Sequence, residues 1–111
     1  MKIALVSCTI LKQEHACKAK DLYSPSTLFT KAVSFIVKQG YDDWFILSAK
    51  YGLLSKDALV EPYDITLNNM KAKECNEWAA PVFQDILKIN PIQIDFYASE
   101  KYRQYLIPSL I

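Results

Sequence analysis

Glycine is scarce in this chain, with two residues among 111. Phosphate-binding loops of the P-loop and G-x-G-x-x-G kinds need several closely spaced glycines, because the backbone must approach the phosphate without intervening side chains. Neither pattern occurs in the sequence. The sequence therefore excludes these two kinds of nucleotide-binding loop.

Metal-ligating and disulfide-forming residues are also few. The three cysteines, Cys8, Cys17 and Cys75, form no C-x-x-C pair, and His15 is the single histidine. An odd number of cysteines without paired spacing does not fit a zinc site or a secreted disulfide framework. We therefore predict no metal site and no bound cofactor.

Excess charge and long apolar runs are missing as well. The formal net charge of +1 does not indicate a strongly basic nucleic-acid-binding protein, although a local basic patch is compatible with this total. No apolar run approaches the roughly 20 residues of a membrane span. The four apolar residues after Lys2 are too few for a signal peptide. We therefore expect a cytoplasmic protein that does not engage membranes.

The chain does contain enough apolar material for one packed domain, since 51% of its residues are hydrophobic. Short apolar runs predict strands, and apolar residues three and four apart predict helices. The predicted strands are Lys2–Ser7, Trp44–Ser48 and Ile92–Tyr97; the predicted helices run from Ser26 or Thr27 to about Gln39, from Asn68 or Asn69 to about Ile89, and from Lys101 to about Leu106. This alternation predicts an α/β domain with a mainly parallel sheet of at least three strands.

Three segments carry further structural expectations. Residues 10–26 have no clear period and are predicted to be a long loop with a helical turn. Tyr51–Leu54 is expected to form a single helical turn. Pro81 lies within the longest predicted helix, where it removes a backbone hydrogen bond, so a kink or a break is expected there.

Small polar residues follow all three predicted strands. They are Ser7, Cys8 and Thr9 after the first, Ser48 at the end of the second, and Ser99 after the third. In a parallel sheet these strand ends lie along one edge, which is where open α/β sheets bind ligands. We therefore expect a ligand site at the carboxyl edge of the sheet.

A dense polar segment follows the second strand and contains Lys50, Tyr51, Gly52, Glu61, Tyr63 and Asp64. In a ligand pocket, Lys50 would be the cation, Glu61 or Asp64 the acid or base, and Tyr51 or Tyr63 a stacking platform. In a purely structural loop, Glu61 would pair with Lys50 and the tyrosines would fill a small core. Both interpretations stay open, and the first predicts that Ser7, Lys50, Glu61 and Ser99 approach one another.

Two other candidates have simple alternatives. Cys8 is a possible nucleophile at a strand end, but without a histidine partner an inert buried thiol is the better interpretation. Lys12, Lys18 and Lys20 form a basic cluster that either contacts phosphates or is an ordinary solvated surface.

Several stretches together resemble a known family. They are S-A-K-Y-G-L-L-S-K-D-A-L-V-E-P-Y-D at 48–64, D-L-Y-S-P-S-T-L-F at 21–29, D-F-Y-A-S-E-K-Y at 95–102, and the first strand leading into Ser7, Cys8 and Thr9 with Lys12 beyond. These stretches resemble the YaaA-like family, small bacterial and phage domains similar to a peroxide-stress protein. The resemblance covers most of the chain.

The resemblance implies a three-layer Rossmann-like core with distant similarity to uracil-DNA-glycosylase-like domains. It also implies a role in DNA binding and the stress response, and a chain shortened at its C-terminus relative to its relatives. The site residues that it implies are Ser7, Cys8, Lys12, Ser48, Lys50, Tyr51, Gly52, Glu61, Pro62, Tyr63, Ser99 and Tyr102.

The functional expectation is a nucleic-acid-linked protein with a pocket for a nucleobase or nucleotide. A glycosidase-type reaction would need an aromatic stack for the base and a carboxylate near the sugar. The alternatives are a non-catalytic module that binds DNA or a protein, and a degenerate relative without a pocket. The apolar C-terminal residues Tyr105, Leu106, Ile107, Leu110 and Ile111 further predict a homo-oligomer formed through that region.

Overall fold

The structure, a computed structural model, describes residues 1–107 and contains a four-stranded mixed sheet with helices packed against it. In chain order the elements are β1 (Lys2–Ser7), β2 (Cys17–Lys18), α1 (Ala19–Leu22), α2 (Thr27–Val37), β3 (Asp43–Ser48), β4 (Gly52–Ser55), β5 (Leu59–Val60), a 3-10 turn (Leu67–Asn69), α3 (Ala72–Ile89), β6 (Gln93–Tyr97) and α4 (Glu100–Gln104). The prediction of an α/β domain is confirmed.

The sheet has the order β4-β3-β1-β6, in which β1 pairs in parallel with both β3 and β6. The prediction of a mainly parallel sheet is therefore confirmed. Residues 3–6 of β1 are all buried, so both faces of this central strand are covered. An unbroken apolar run is typical of such a strand.

The fourth strand corrects one expectation. Gly52–Ser55 is not a helical turn but β4, which pairs antiparallel with β3 in a tight hairpin. A second small pairing joins the predicted long loop to the segment after β4, since Cys17 lies opposite Val60. The expected helical turn is present as the short helix α1, and the loop also contains the short strand β2.

Helix α2 begins as predicted, because the Ser26 hydroxyl accepts a hydrogen bond from the Phe29 N–H at 3.3 Å. Its fully buried face is narrower than predicted. Phe29 and Ile36 are buried, whereas Leu28 and Val37 are 77% and 61% exposed. The apolar stripe of the sequence therefore includes two residues that do not belong to the core.

Helix α3 begins later than the predicted caps allow. Asn68 and Asn69 form part of the 3-10 turn, and Lys71 is the residue before the first helical turn. The helix continues through Pro81, so of the two expected outcomes the break is wrong and the kink stays a prediction. The helix tolerates proline because its buried side chains, including Trp78 and Val82, hold it on the core.

The C-terminal region is described only in part. Leu106 is completely buried in the chain's own core, and Ile107 is half-buried. Leu110 and Ile111 lie outside the described residues. Self-association through this region stays a prediction. Among residues 1–107, no helix has both the length and the apolar character needed to cross a membrane.

Candidate functional site

A cavity of about 460 Å³ opens at the carboxyl ends of β1 and β6. Four separate parts of the chain line it: Ser7 to Lys12 after β1, Ser26 and Leu28 at the start of α2, Asp64 to Thr66 with Asn68 and Asn69 before α3, and Ser99 with Tyr102 beyond β6. The expected location of a ligand site is thus occupied by a cavity. Its volume falls within the roughly 300–1,000 Å³ of small-molecule sites.

The ends of β1 and β6 are joined across the cavity. The Ser99 N–H donates a hydrogen bond to the Ser7 hydroxyl at 3.4 Å. Thr9, also in the lining, donates its hydroxyl to the Leu11 carbonyl at 3.1 Å. The predicted approach of Ser7 and Ser99 is therefore present.

Cys8 and Tyr102 form the polar pair of the cavity wall. The Cys8 sulfur and the Tyr102 hydroxyl are hydrogen-bonded at 3.0 Å, and Cys8 is half-buried where a fully buried thiol was expected. Burial, together with the neighbouring thiol group, raises the pKa of Tyr102 above its ordinary value. The phenol therefore stays protonated near neutral pH and can donate to the sulfur or to a ligand.

Lys12 and Asp64 provide the charges of the cavity. The Lys12 ammonium lies 4.5 Å from the centre of the Tyr63 ring and donates to the Ile10 carbonyl at 3.2 Å. Burial lowers the pKa of Lys12, and the nearby Cys8 and Asp64 oppose that change. One cation and one carboxylate are thus available to a ligand in the same space.

Ser48 and Tyr63 lie in a buried hydroxyl network and do not line this cavity. The Ser48 hydroxyl donates to Tyr63 at 2.9 Å, and the hydroxyls of Tyr63 and Tyr23 are 2.6 Å apart. Burial raises the pKa of Tyr23 to about 12 and raises that of Tyr63 as well. These predicted ligand-binding residues therefore support the structure of the site instead of contacting its contents.

Lys50, Tyr51 and Gly52 line a different cavity, of about 420 Å³, against α3. The hairpin explains their position, because the turn between β3 and β4 brings them beside Glu77 and Trp78. The prediction that Lys50 meets Ser7 and Ser99 at one pocket is therefore wrong.

Glu61, predicted as a catalytic acid, lines neither cavity. Its backbone is held by the Tyr51 hydroxyl, which accepts from the Glu61 N–H at 3.2 Å and donates to the Glu61 carbonyl at 3.4 Å. Within residues 1–107 its exposed carboxylate forms no ion pair, so the expected pairing with Lys50 is absent. Asp64 is the carboxylate that lines the cavity at the sheet edge.

The sequence interpretation missed several lining residues, among them Asn68, Asn69 and Leu28. The two asparagines are predicted as a helix cap, and Leu28 as part of the buried stripe of α2. The sequence feature that could have indicated them is the pair of adjacent asparagines, Asn68 and Asn69, between Asp64 and the longest helix. Its meaning depends on the 3-10 turn that places both residues at the cavity.

The fold and the cavity define an α/β domain with a candidate small-ligand site at the carboxyl edge of its sheet. A family model described as a family of unknown function (DUF6884) matches residues 3–111, so the chain belongs to that family. No curated protein and no solved structure matches the chain. The family description assigns no activity, and the resemblance to YaaA-like domains stays a prediction.

Proposed function

We propose that the cavity at the carboxyl edge of the sheet binds a nucleobase or a nucleotide. The observation that supports this most strongly is the combination of groups in one space. Asp64, Asn68 and Asn69 bring a carboxylate and two amides, while exposed Ile10 and Leu28 add apolar walls. A planar base needs this combination, because its faces are apolar and its edge carries donors and acceptors.

The polar groups suit the edge of a base. An asparagine amide both donates and accepts hydrogen bonds, and the Asp64 carboxylate accepts from amino or imino groups. The aromatic stacking expected from Tyr51 or Tyr63 does not contribute, since neither ring lines the cavity. The aliphatic side chains of Ile10, Leu28 and Ile65 would contact the faces of the base instead.

A glycosidase-like activity would depend on Asp64. Glycosidases generally use two carboxylates, one on each side of the bond that breaks. Asp64 is the one acidic residue among the described residues of the cavity lining. In that reaction Asp64 would face the glycosidic bond instead of the edge of the base and would take a proton from the water that displaces the base. Release of the free base, followed by chromatography, is the readout.

The alternative of a DNA-binding module has weaker support. It requires a continuous basic surface formed by Lys12, Lys18 and Lys20. Lys12 lines the cavity, and the Lys20 ammonium lies 3.6 Å from the Asp57 carboxylate. The three lysines therefore do not offer three unpaired charges on one surface.

The proposal also includes the finer expectations that follow from the resemblance. These are a Rossmann-like three-layer arrangement, nucleotide or DNA binding in a stress response, and a cytoplasmic location. The burial of both faces of β1 supports the first of them.

A thermal-shift series tests the proposal, because a ligand that binds the native state alone raises the melting temperature. Free bases, nucleosides, nucleotides and short single-stranded DNA are compared. At a hundred times the dissociation constant the gain is about 2.7 kcal/mol, or roughly 10 °C or more for a domain of this size. Asp64→Ala should greatly reduce the shift.

Glu61→Ala is the matched control, since it removes a carboxylate from the same loop but outside the cavity. It should leave the shift unchanged. No shift with any base or nucleotide would overturn the proposal. A shift with DNA alone that Lys18→Ala abolishes would support the binding-module alternative instead.

A further inference from the structure

A second groove, of about 360 Å³, adjoins the cavity at the sheet edge. The two spaces share four lining residues, Ser7, Thr9, Leu28 and Ser99. The remaining walls of the groove are mostly apolar and include Phe29 and Phe96, and one charged residue, Arg103, lines it. A ligand larger than a base can therefore extend from the cavity into this groove.

Arg103 is the single arginine of the sequence. It lies in α4, and its backbone N–H donates to the carbonyl of Ser99, the residue before the helix, at 3.4 Å. Arg103 is exposed and forms no ion pair with any acidic side chain of residues 1–107. Its guanidinium is therefore available to a ligand beside Ser99.

The cavity and the groove differ in the charged residues that line them. In the cavity, the positive charge of Lys12 is balanced by Asp64. No acidic residue among the described residues lines the groove, so the charge of Arg103 is unbalanced there. Because Arg103 is exposed, its attraction for an anion is that of a surface charge and weakens with added salt. A guanidinium also matches two phosphate oxygens at once, which an ammonium does not.

We propose that the ligand carries a phosphate group and that Arg103 binds this phosphate in the groove. The base then occupies the cavity with Asp64, and the sugar lies over Ser7 and Ser99, which belong to both spaces. The substrate class is thus a nucleoside monophosphate or a nucleotide unit of a strand, and not a free base. This inference rests on the proposed function of the cavity.

The test compares one base in three forms: the free base, its nucleoside and its nucleoside 5′-monophosphate. Dissociation constants are measured by calorimetry at fixed salt. The monophosphate should bind at least about tenfold more tightly than the nucleoside, because charge-assisted hydrogen bonds are stronger than neutral ones. Arg103→Met should remove this ratio and leave nucleoside affinity within about twofold of the original value.

Lys101→Met is the control, since it removes the same charge from the same helix at a residue outside both linings. It should preserve the ratio. A nucleoside that binds as well as its monophosphate would overturn the inference and leave the proposed function intact. The same conclusion follows if Arg103→Met weakens all three forms equally. Inorganic phosphate is measured as a fourth ligand. If it binds as tightly as the monophosphate while the nucleoside does not bind, the proposed function is overturned. Absence of binding by all forms would overturn both.

Discussion

At the scale of single residues, the Tyr51 hydroxyl holds the loop that contains Glu61. It makes two hydrogen bonds to the Glu61 backbone, at 3.2 and 3.4 Å, whereas the Glu61 side chain is exposed. The loop therefore depends on the tyrosine and not on the carboxylate. Glu61 is therefore a candidate site residue by its sequence context, but its side chain takes no part in the site.

Tyr51→Phe should lower the free energy of unfolding by about 1 kcal/mol, because it removes hydrogen bonds to the backbone. Glu61→Ala should change it by less than about 0.5 kcal/mol, as expected for an exposed side chain without partners. Urea unfolding measures both values. An equal loss in the two variants would show that the Glu61 carboxylate stabilises the loop after all.

The sequence was informative about site residues that directly follow strands. Ser7, Cys8, Thr9 and Ser99 could be placed at the cavity because parallel strands end at one edge. Lys50 could not, since its position depends on the direction of the chain after β3. The turn between β3 and β4 lies at the same carboxyl edge, but it places Lys50 on the side of α3, whereas the cavity opens at β1 and β6.

At the scale of elements, the hairpin of β3 and β4 is the largest departure from the sequence prediction. Leu53 and Leu54 form an apolar pair too short to distinguish a strand from a helical turn. Antiparallel pairing with β3 makes this segment a strand, and Gly52 permits the tight turn before it with a φ of +71°. By contrast, β1 and β3 could be predicted because each contains four consecutive apolar residues and ends in a serine.

Gly52→Ala should destabilise the hairpin for two reasons. A positive φ costs an alanine about 1–2 kcal/mol. The new Cβ would also lie 3.2 Å from Cγ2 of Val82, which would have to shift. Gly40→Ala is a matched control, because Gly40 has a φ of +75° and a Cβ added there would meet nothing within 4 Å. Chemical denaturation should therefore show a larger loss in the free energy of unfolding for Gly52→Ala than for Gly40→Ala.

The difference between the two glycine variants measures the contact with Val82. In a Val82→Ala background, the loss caused by Gly52→Ala should fall toward that of Gly40→Ala, since the contacting methyl group is gone. An unchanged difference in the double-mutant cycle would assign the extra loss to the backbone of the turn.

At the scale of the whole molecule, the buried hydroxyls of Tyr23, Tyr63 and Ser48 connect three distant parts of the chain. Burial raises the pKa of Tyr23 to about 12, while a tyrosine in the unfolded chain ionises near pH 10. Between these pH values the unfolded state loses its proton first. The contribution of Tyr23 to stability is therefore complete below about pH 10 and is lost as the pH rises toward 12.

Tyr23→Phe should cost about 1 kcal/mol at pH 7 through the lost hydrogen bond. The cost should shrink or reverse by about pH 12, because the variant has no phenol to ionise at this position. The effect of the titration is on the order of 2 kcal/mol, since each pKa unit corresponds to about 1.4 kcal/mol. Urea unfolding at several pH values provides the measurement. If the difference in unfolding free energy between Tyr23→Phe and the original chain did not change with pH, this explanation would be contradicted.

The hydrogen bond between Ser7 and Ser99 joins residues that are 92 positions apart in the sequence. A ligand that contacts both residues would close the same long loop of chain, so β6 could not leave the sheet until the ligand dissociated. The site is complete only once β6 has joined the sheet, and we expect this step to follow the transition state of folding. We therefore expect an occupied site to lengthen the lifetime of the native state, through slower unfolding, with little effect on the rate at which the chain folds.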